Sequence, residues 1–283
     1  MTQARNVSTG KDKTMPHRSR DTLKRTCFVS FGLLLAAAAP SALAFQPLIT
    51  DDTGTQGAGG NQLEFSVNRD RARSEGESVR VTSLPVVYTR GITDSIDAFV
   101  GANYTRIRSS IPELDASGGG NPSFGVKWRF YENEESKTSL GIKPEIVLPV
   151  SSGRENEGLG TGKTSYGLTL ILTQETGFGA VHANLFAGRD RFRDTVGSDA
   201  TITRASIAPV WDVAEGWKLA LDIGIESERA DGDSTRTDFA EIGAIYSPSD
   251  NLEFAFGLIR ANDDAEPGTG TTSATAGVTW RFK

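Results

Sequence analysis

The chain has 283 residues, with 30 basic and 36 acidic side chains, two histidines and one cysteine, and a formal charge of −6. That length holds one large all-β domain or two ordinary ones. The acidic balance excludes a basic nucleic-acid surface, and one cysteine excludes a disulfide framework. A hydrophobic fraction of 37% reads as soluble, but a transmembrane barrel hides its apolar face in alternation and gives the same figure.

Residues 1–44 carry the marks of a secretory signal peptide. Arg18, Arg20, Lys24 and Arg25 precede the apolar run "FVSFGLLLAAAAPSALA", and Ala42 and Ala44 form an A-x-A cleavage site before Phe45. The segment is long for a signal, and Met15 is an alternative start. Cys27 leaves with it, so the mature protein is expected to hold no disulfide and no thiol chemistry. Removing seven basic and two acidic residues brings the mature charge to −11.

Residues 45–60 form a polar lead-in. "PLITDDTGTQGAGGNQLEFS" places Asp51 and Asp52 side by side ahead of several glycines. Two adjacent aspartates without a glutamate at calcium-loop spacing do not make a metal loop. A strand follows, not the helix a phosphate cradle needs. Two readings stay open: a periplasmic tether, or a plug that folds back and restricts a lumen from below.

From residue 61 to 283 the pattern is alternation. "SIDAFVGANY" puts Ile96, Ala98, Val100, Ala102 and Tyr104 on one face, and "WKLALDIGIE" does the same with Trp217, Leu219, Leu221, Ile223 and Ile225. Segments of this kind predict about twelve strands: 61–70, 77–89, 95–107, 121–131, 137–150, 164–173, 179–189, 200–212, 217–227, 236–247, 252–261 and 271–282. Pro85 predicts a bulge or edge irregularity in the second. Connections such as "GITDS", "ENEES" and "VAEG" are short, whereas "SSIPELDASGGG", "SSGRENEGLGTGK", "RDRFRDTVGSD", "RADGDST" and "ANDDAEPGTG" on the other side are longer. A β-sandwich also alternates, but it does not predict this asymmetry. The expected fold is therefore all-β, a transmembrane antiparallel β-barrel with short periplasmic turns and longer extracellular loops, in the Gram-negative outer membrane.

Two positional patterns support this. Trp128, Trp211, Trp217 and Trp280 lie at strand ends beside short turns, with Tyr88, Phe130, Tyr246 and Phe282, as an interfacial girdle does. The outward face of each odd strand runs upward into arginine: Arg69, Arg71 and Arg73; Arg106 and Arg108; Arg154; Arg189, Arg191 and Arg193; Arg229; Arg260. Guanidinium suits bidentate phosphate binding, so these residues predict a collar on outer-membrane lipid and lipopolysaccharide. The alternative is a solubilising rim.

The inward face is charged. It carries Glu64, Asp97, Glu145, Asp222, Glu226, Glu241 and Glu253, and also Lys127, Arg129, Lys143, Arg204, Lys218 and Arg281. On a lipid face such residues would cost roughly 2–4 kcal/mol each. Lys127, Arg129 and Lys143 fall on strands four and five; Asp222, Glu226, Glu241 and Glu253 fall on strands nine to eleven. A closed ring sets these groups opposite one another, giving either a transverse field that selects solutes or salt bridges that fill the lumen.

No chemistry-bearing motif survives inspection. "GLGTGKTS" resembles a P-loop but has Glu157 where the first glycine belongs and a strand where the helix belongs. His182 is the one mature histidine, and it faces inward as a lumen-lining polar residue. No metal site, cofactor or catalytic triad is expected.

The stretch from Gln46 to Ser66 resembles the N-terminal signature of outer-membrane transporters of the phenol-degradation MetA-pathway family, a P-L-x-T-x-D-T-x-x-x-G-like lead-in before a barrel. The resemblance implies a channel for small, often aromatic, organic compounds and brings no catalytic residues. The ending "VTWRFK" departs from the usual terminal aromatic read by the barrel-assembly machinery, with Lys283 following Phe282. The resulting expectation is a passive or weakly selective channel for a small-molecule solute, not an enzyme. A lipid-acting barrel enzyme and a structural barrel with a sealed lumen are the alternatives.

Overall fold

The computed structural model describes residues 46–193 and 195–283. The expected signal peptide, Cys27 and the Phe45 start lie outside the described residues.

The alternating segments become long strands because each must cross a bilayer with all its backbone groups paired. In chain order they are β1 (Asn61–Ser74), β2 (Glu77–Gly91), β3 (Ile96–Ser109), a 3-10 turn (Pro112–Leu114), β4 (Ala116–Gly119), β5 (Ser123–Asn133), β6 (Thr138–Val147), a short helix α1 (Ser152–Asn156), β7 (Ser165–Thr176), β8 (Gly179–Asp190), β9 (Ala200–Ala214), β10 (Trp217–Ala230), β11 (Asp233–Ser249), β12 (Leu252–Asp263) and β13 (Gly270–Phe282). Every neighbour pair is antiparallel, and β1 pairs with both β2 and β13. The sheet therefore closes, leaving no edge to aggregate. Twelve strands form the wall. The four-residue β4 instead continues the line of β5 along the upper part of β3, from Ile107 opposite Ala116 to Tyr104 opposite Gly119.

The pleat sorts the side chains. Leu63, Phe65, Val67, Val100, Leu168, Leu170, Ile223, Ile225 and Leu258 are exposed on the outer face, between 37 and 57%. Contiguous apolar surface of this kind is what a bilayer covers. The girdle forms as expected: Trp217 stacks on Tyr246 at 4.6 Å between centroids, Trp280 lies 4.6 Å from Phe282, and Trp128 meets Phe130 edge-on at 5.9 Å. Register shifts occur at Arg129/Tyr131, Trp217/Lys218 and Tyr246/Ser249, all near the short turns.

Three details differ from expectation. Pro85 makes no bulge but does interrupt the ladder: the register is the same on either side, Phe65 facing Val86 and Asn68 facing Ser83, while Ser66 and Val67 between them pair with nothing on β2, and Pro85 stays opposite Asn103 of β3. The strands run further outward than their apolar parts. "RADGDST" is mostly strand, because β10 and β11 meet at the turn Asp231–Gly232, with φ of 54° and 89°. β1 and β2 are likewise joined at Glu75–Gly76, with φ of 47° and 86°. Two positive φ values mark the hairpin turn whose twist matches the flanking strands.

Candidate functional site

The barrel interior is crossed by the segment Gln46–Gly60. It starts against a patch where the wall has no side chains. A Cβ on Gly243 would sit 2.8 Å from Pro47 Cγ, and one on Gly257 would sit 2.9 Å from Pro47 Cβ. One on Gly277 would collide with Gln46 Oε1. Gly243 and Gly257 face each other across β11 and β12, so the gap is continuous. Leu48 then packs on Ala208, Val210 and Ala220 of β9 and β10.

Polar anchors carry the segment across. The Thr50 backbone N–H and hydroxyl both donate to the Asp222 carboxylate at 2.7 Å, and the hydroxyl stands 2.7 Å from Ser206 Oγ. Asp51 and Asn184 exchange two hydrogen bonds: the Asp51 N–H donates at 2.7 Å and the Asn184 amide returns one to the Asp51 carbonyl at 2.9 Å. The Asp51 carboxylate accepts from Lys127 Nζ at 2.8 Å on one oxygen and from Lys143 Nζ at 2.9 Å on the other. All three side chains are no more than 7% exposed. Thr53 donates its N–H to Thr173 at 3.1 Å and its hydroxyl lies 2.5 Å from Ser139. The Gln56 N–H is shared by both oxygens of Asp97 at 3.0 and 3.1 Å. Gly59 and Gly60 then join the backbone of Gly91, and the chain enters β1.

The charged residues expected in the lumen take partners that differ from a simple opposition of signs. Lys127 and Lys143 meet Asp51 of the segment, while Asp222 is occupied by Thr50. Arg204 pairs with Glu226, its Nε 2.7 Å from the carboxylate. Arg281 lies 3.6 Å from Glu253 and donates to Gln62 at 2.9 Å. Arg129 bonds the Asp94 carbonyl at 3.1 Å and stands 3.3 Å from Glu132. His182 Nδ1 lies 3.0 Å from Thr173 Oγ1. Lys218 sits near the turn with Asp212 at 3.4 Å. Glu241 is buried opposite Asp222, Glu64 is buried on β1, and Glu145 is half-buried on β6. Among the described residues no group of three His, Cys, Asp or Glu side chains is arranged to hold a metal ion.

Three inward phenylalanines were not anticipated. Phe99, Phe186 and Phe239 lie over wall glycines: a Cβ at Gly125 or Gly224 would clash with the ring edge of Phe99 or Phe239, and Gly167 and Gly188 are both covered by Phe186. Lys143 sits 5.4 Å above the Phe99 ring and Arg204 5.5 Å above that of Phe186, so these rings also steady two lumen cations.

A cavity of about 550 Å³ remains between the segment and the wall of β12, β13 and β1, opening beside the turn Asp250–Asn251. Asp52, Glu64, Asp97, Lys127, Glu253 and Arg281 line it, an acidic majority. At the other end the connection from β6 to β7 folds over the mouth. Leu159 packs inside against Val79, Val81 and Ile107, and Asn121 ties Leu148 to Thr161.

The arginines at that end do not form a uniform ring. Arg189 and Arg191 stand 3.5 and 3.3 Å from Asp199. Arg193 lies beyond β8 and grips the buried Glu155, with its N–H bonded at 2.8 Å. Arg260 donates to Thr272 and Asn262. Arg154 is not on the lipid face of a strand, as expected above, but in α1, because β6 ends at Val147. Arg108 pairs with Asp115 at 2.7 Å, and the Ser109 backbone N–H together with Arg108 holds that carboxyl below its usual range. Arg69, Arg71, Arg106 and Arg229 are exposed without an ion pair among the described residues.

A closed antiparallel ring with an apolar outer belt, an aromatic girdle and a charged interior defines an outer-membrane β-barrel of Gram-negative bacteria. The chain belongs to the family described as "Putative MetA-pathway of phenol degradation", whose profile matches residues 46–282. Among solved structures it is similar to the COG4313 outer membrane channel from Pseudomonas putida F1, at 16% identity and a TM-score of 0.65, covering 82% of this chain and 98% of that one. It is also similar to the translocator domain of the autotransporter NalP from Neisseria meningitidis, at 13% identity and a TM-score of 0.51, covering 93% and 98%. The β domain of the Bordetella autotransporter BrkA follows at 15% identity and a TM-score of 0.52, covering 79% and 100%. At these identities the likeness is one of fold. No protein of curated function matches the sequence.

Proposed function

We propose that this protein is a channel for passive, weakly selective uptake of small organic solutes, and that residues 46–60 act as a plug holding it in a restricted state. The observation that carries this reading is the Asp51 clamp. One carboxylate on a loop segment joins two buried lysines on opposite sides of the β5–β6 pairing, inside a ring otherwise wide enough for side chains and water. A lumen that needed only filling would use wall residues. An interior strap held by polar bonds can be released.

The inner surface supports small solutes of mixed character. The outer half carries Val79, Val81, Ile107 and Leu159, while the inner half carries the charged cavity. The family description names phenol degradation, which favours aromatic compounds among the candidates. Liposome swelling with sugars, amino acids and aromatic acids tests the reading. Deleting residues 46–56 should raise every rate, while a barrel that admits nothing in either form is a sealed structural one. A lipid-acting enzyme is disfavoured because His182 faces the lumen at hydrogen-bonding distance from Thr173, away from lipid.

A further inference from the structure

The outward face of β1–β3 changes character abruptly along its height. Reading across the three strands, the lower rungs are Leu63, Tyr88 and Val100, then Phe65, Val86 and Ala102. The next rungs are Arg69, Thr82 and Arg106, then Arg71, Arg80 and Arg108, with Arg73 opposite Ser78 on the rung above. Arg71 stands directly opposite Arg80, and Arg80 directly opposite Arg108. Directly opposed residues have Cβ atoms only ~4.5–5.5 Å apart, and like charges in that relation destabilise the sheet.

Elsewhere on the rim Arg189 and Arg191 share Asp199 and Arg193 holds Glu155, while Arg260 bonds Thr272 and Asn262 and Arg229 stands singly, with no ion pair among the described residues. On β1–β3 only Arg108 has an acid, Asp115. Among the described residues Arg69, Arg71, Arg73, Arg80 and Arg106 form no ion pair, and all are exposed. Arg71 lies eight residues along β1 from Leu63, or about 27 Å at 3.4 Å per residue. A strand tilt of about 35–45° reduces this to roughly 20 Å in height, near the outer edge of an apolar band about 25 Å tall. The cluster thus sits level with headgroups, above a face that takes acyl chains.

We propose that this three-strand face is a docking site for the phosphates of the outer-leaflet glycolipid, with Arg71, Arg80 and Arg106 as its principal contacts. Guanidinium forks bind phosphate oxygens in pairs, and a bisphosphorylated sugar headgroup bridges neighbouring rungs and removes their mutual repulsion. Apolar residues directly below commit the occupant to a lipid, since a free anion gains nothing from Val67 and Tyr104 beneath it. The site is independent of the channel reading, because none of these side chains enters the lumen.

The test uses the folded, detergent-solubilised full barrel titrated with bisphosphorylated lipid A, with enzymatically dephosphorylated lipid A and with inorganic phosphate. The wild type should bind the bisphosphorylated lipid at least tenfold tighter than the dephosphorylated form, and millimolar inorganic phosphate should not displace it. Combining R71Q, R80Q and R106Q should weaken lipid binding about tenfold or more, while R189Q with R191Q should change it less than twofold. Equal affinity for the two lipids overturns the proposal, as does an unaffected triple variant or displacement by inorganic phosphate. Heat-modifiability on gels reports folding, and if the triple variant does not fold, the lipid comparison on the wild type decides. Solute flux of a folded triple variant should be unchanged, which separates failure here from failure of the channel reading.

Discussion

Asp51 is the most informative single position. Replacing it with alanine leaves Lys127 and Lys143, 5 and 7% exposed, with the first keeping the Asp52 carbonyl at 3.0 Å and Asp52 Oδ1 at 3.5 Å and the second keeping no carboxylate within ion-pair distance among the described residues. Removing one partner of a buried pair costs roughly 3–5 kcal/mol because the other charge stays desolvated. Here the strain has an outlet: the segment can leave, and water can reach both ammoniums. At about 1.4 kcal/mol per factor of ten, the balance between docked and displaced segment shifts by about 10²–10⁴. In planar bilayers Asp51→Ala should show larger or longer openings than the wild type, and Asp51→Asn an intermediate effect, since the amide keeps its size but not its charge. Adding Lys127→Met and Lys143→Met to Asp51→Ala should move conductance back toward the wild type, because no buried cation is then left unpaired. Unchanged conductance in Asp51→Ala, with the segment still protected from protease, would refute the reasoning.

Gly257→Val puts a Cβ against the Glu241 carboxylate, whose flexible end can turn aside, and 2.9 Å from Pro47, and should expel the start of the segment at a cost of about 1–3 kcal/mol, read as new protease cleavage near residues 46–49 with an intact barrel. Gly232→Val forces a β-branched residue to φ near 89° and should cost the β10–β11 hairpin about 1–2 kcal/mol, seen as a lower urea midpoint. Arg193→Met removes the guanidinium from Glu155, whose side chain is fully buried and keeps only the backbone N–H of residue 193, so the connection from β6 to β7 should become sensitive to protease while transmembrane strands stay folded. Deleting Lys283 should leave folded yield unchanged if a lysine after Phe282 is tolerated in assembly.

The wall was legible because water and lipid impose opposite chemistries on alternate residues, and that alternation is written one residue at a time. It faded where strands leave the bilayer. Arg229 to Ser234 has no apolar face to declare, so a polar hairpin read as a loop. Parity along a strand is the mark of an inward residue, and Phe99, between Asp97 and Gly101, carries that mark. The aromatics of the outer girdle dominate the pattern and hide it. The pairings were a different matter. Asp51 finds Lys127 and Lys143 at sequence separations of 76 and 92, and no local signal selects them over other cations. Gly243, Gly257 and Gly277 look like ordinary strand glycines until Gln46 and Pro47 are seen against them.

The segment's anchors also set an order of events in folding. Thr50 reaches Asp222 across 172 positions and Asp51 reaches Asn184 across 133, so a segment made early binds to strands made long after it. Contacts of such separation form late, once the loop they close has been bounded by other structure. Until then Lys127 and Lys143 face the lumen without their carboxylate. A barrel that closes before the segment docks would for that interval be wider and more cationic inside, so freshly refolded protein should conduct more in planar bilayers than the same protein after it has aged.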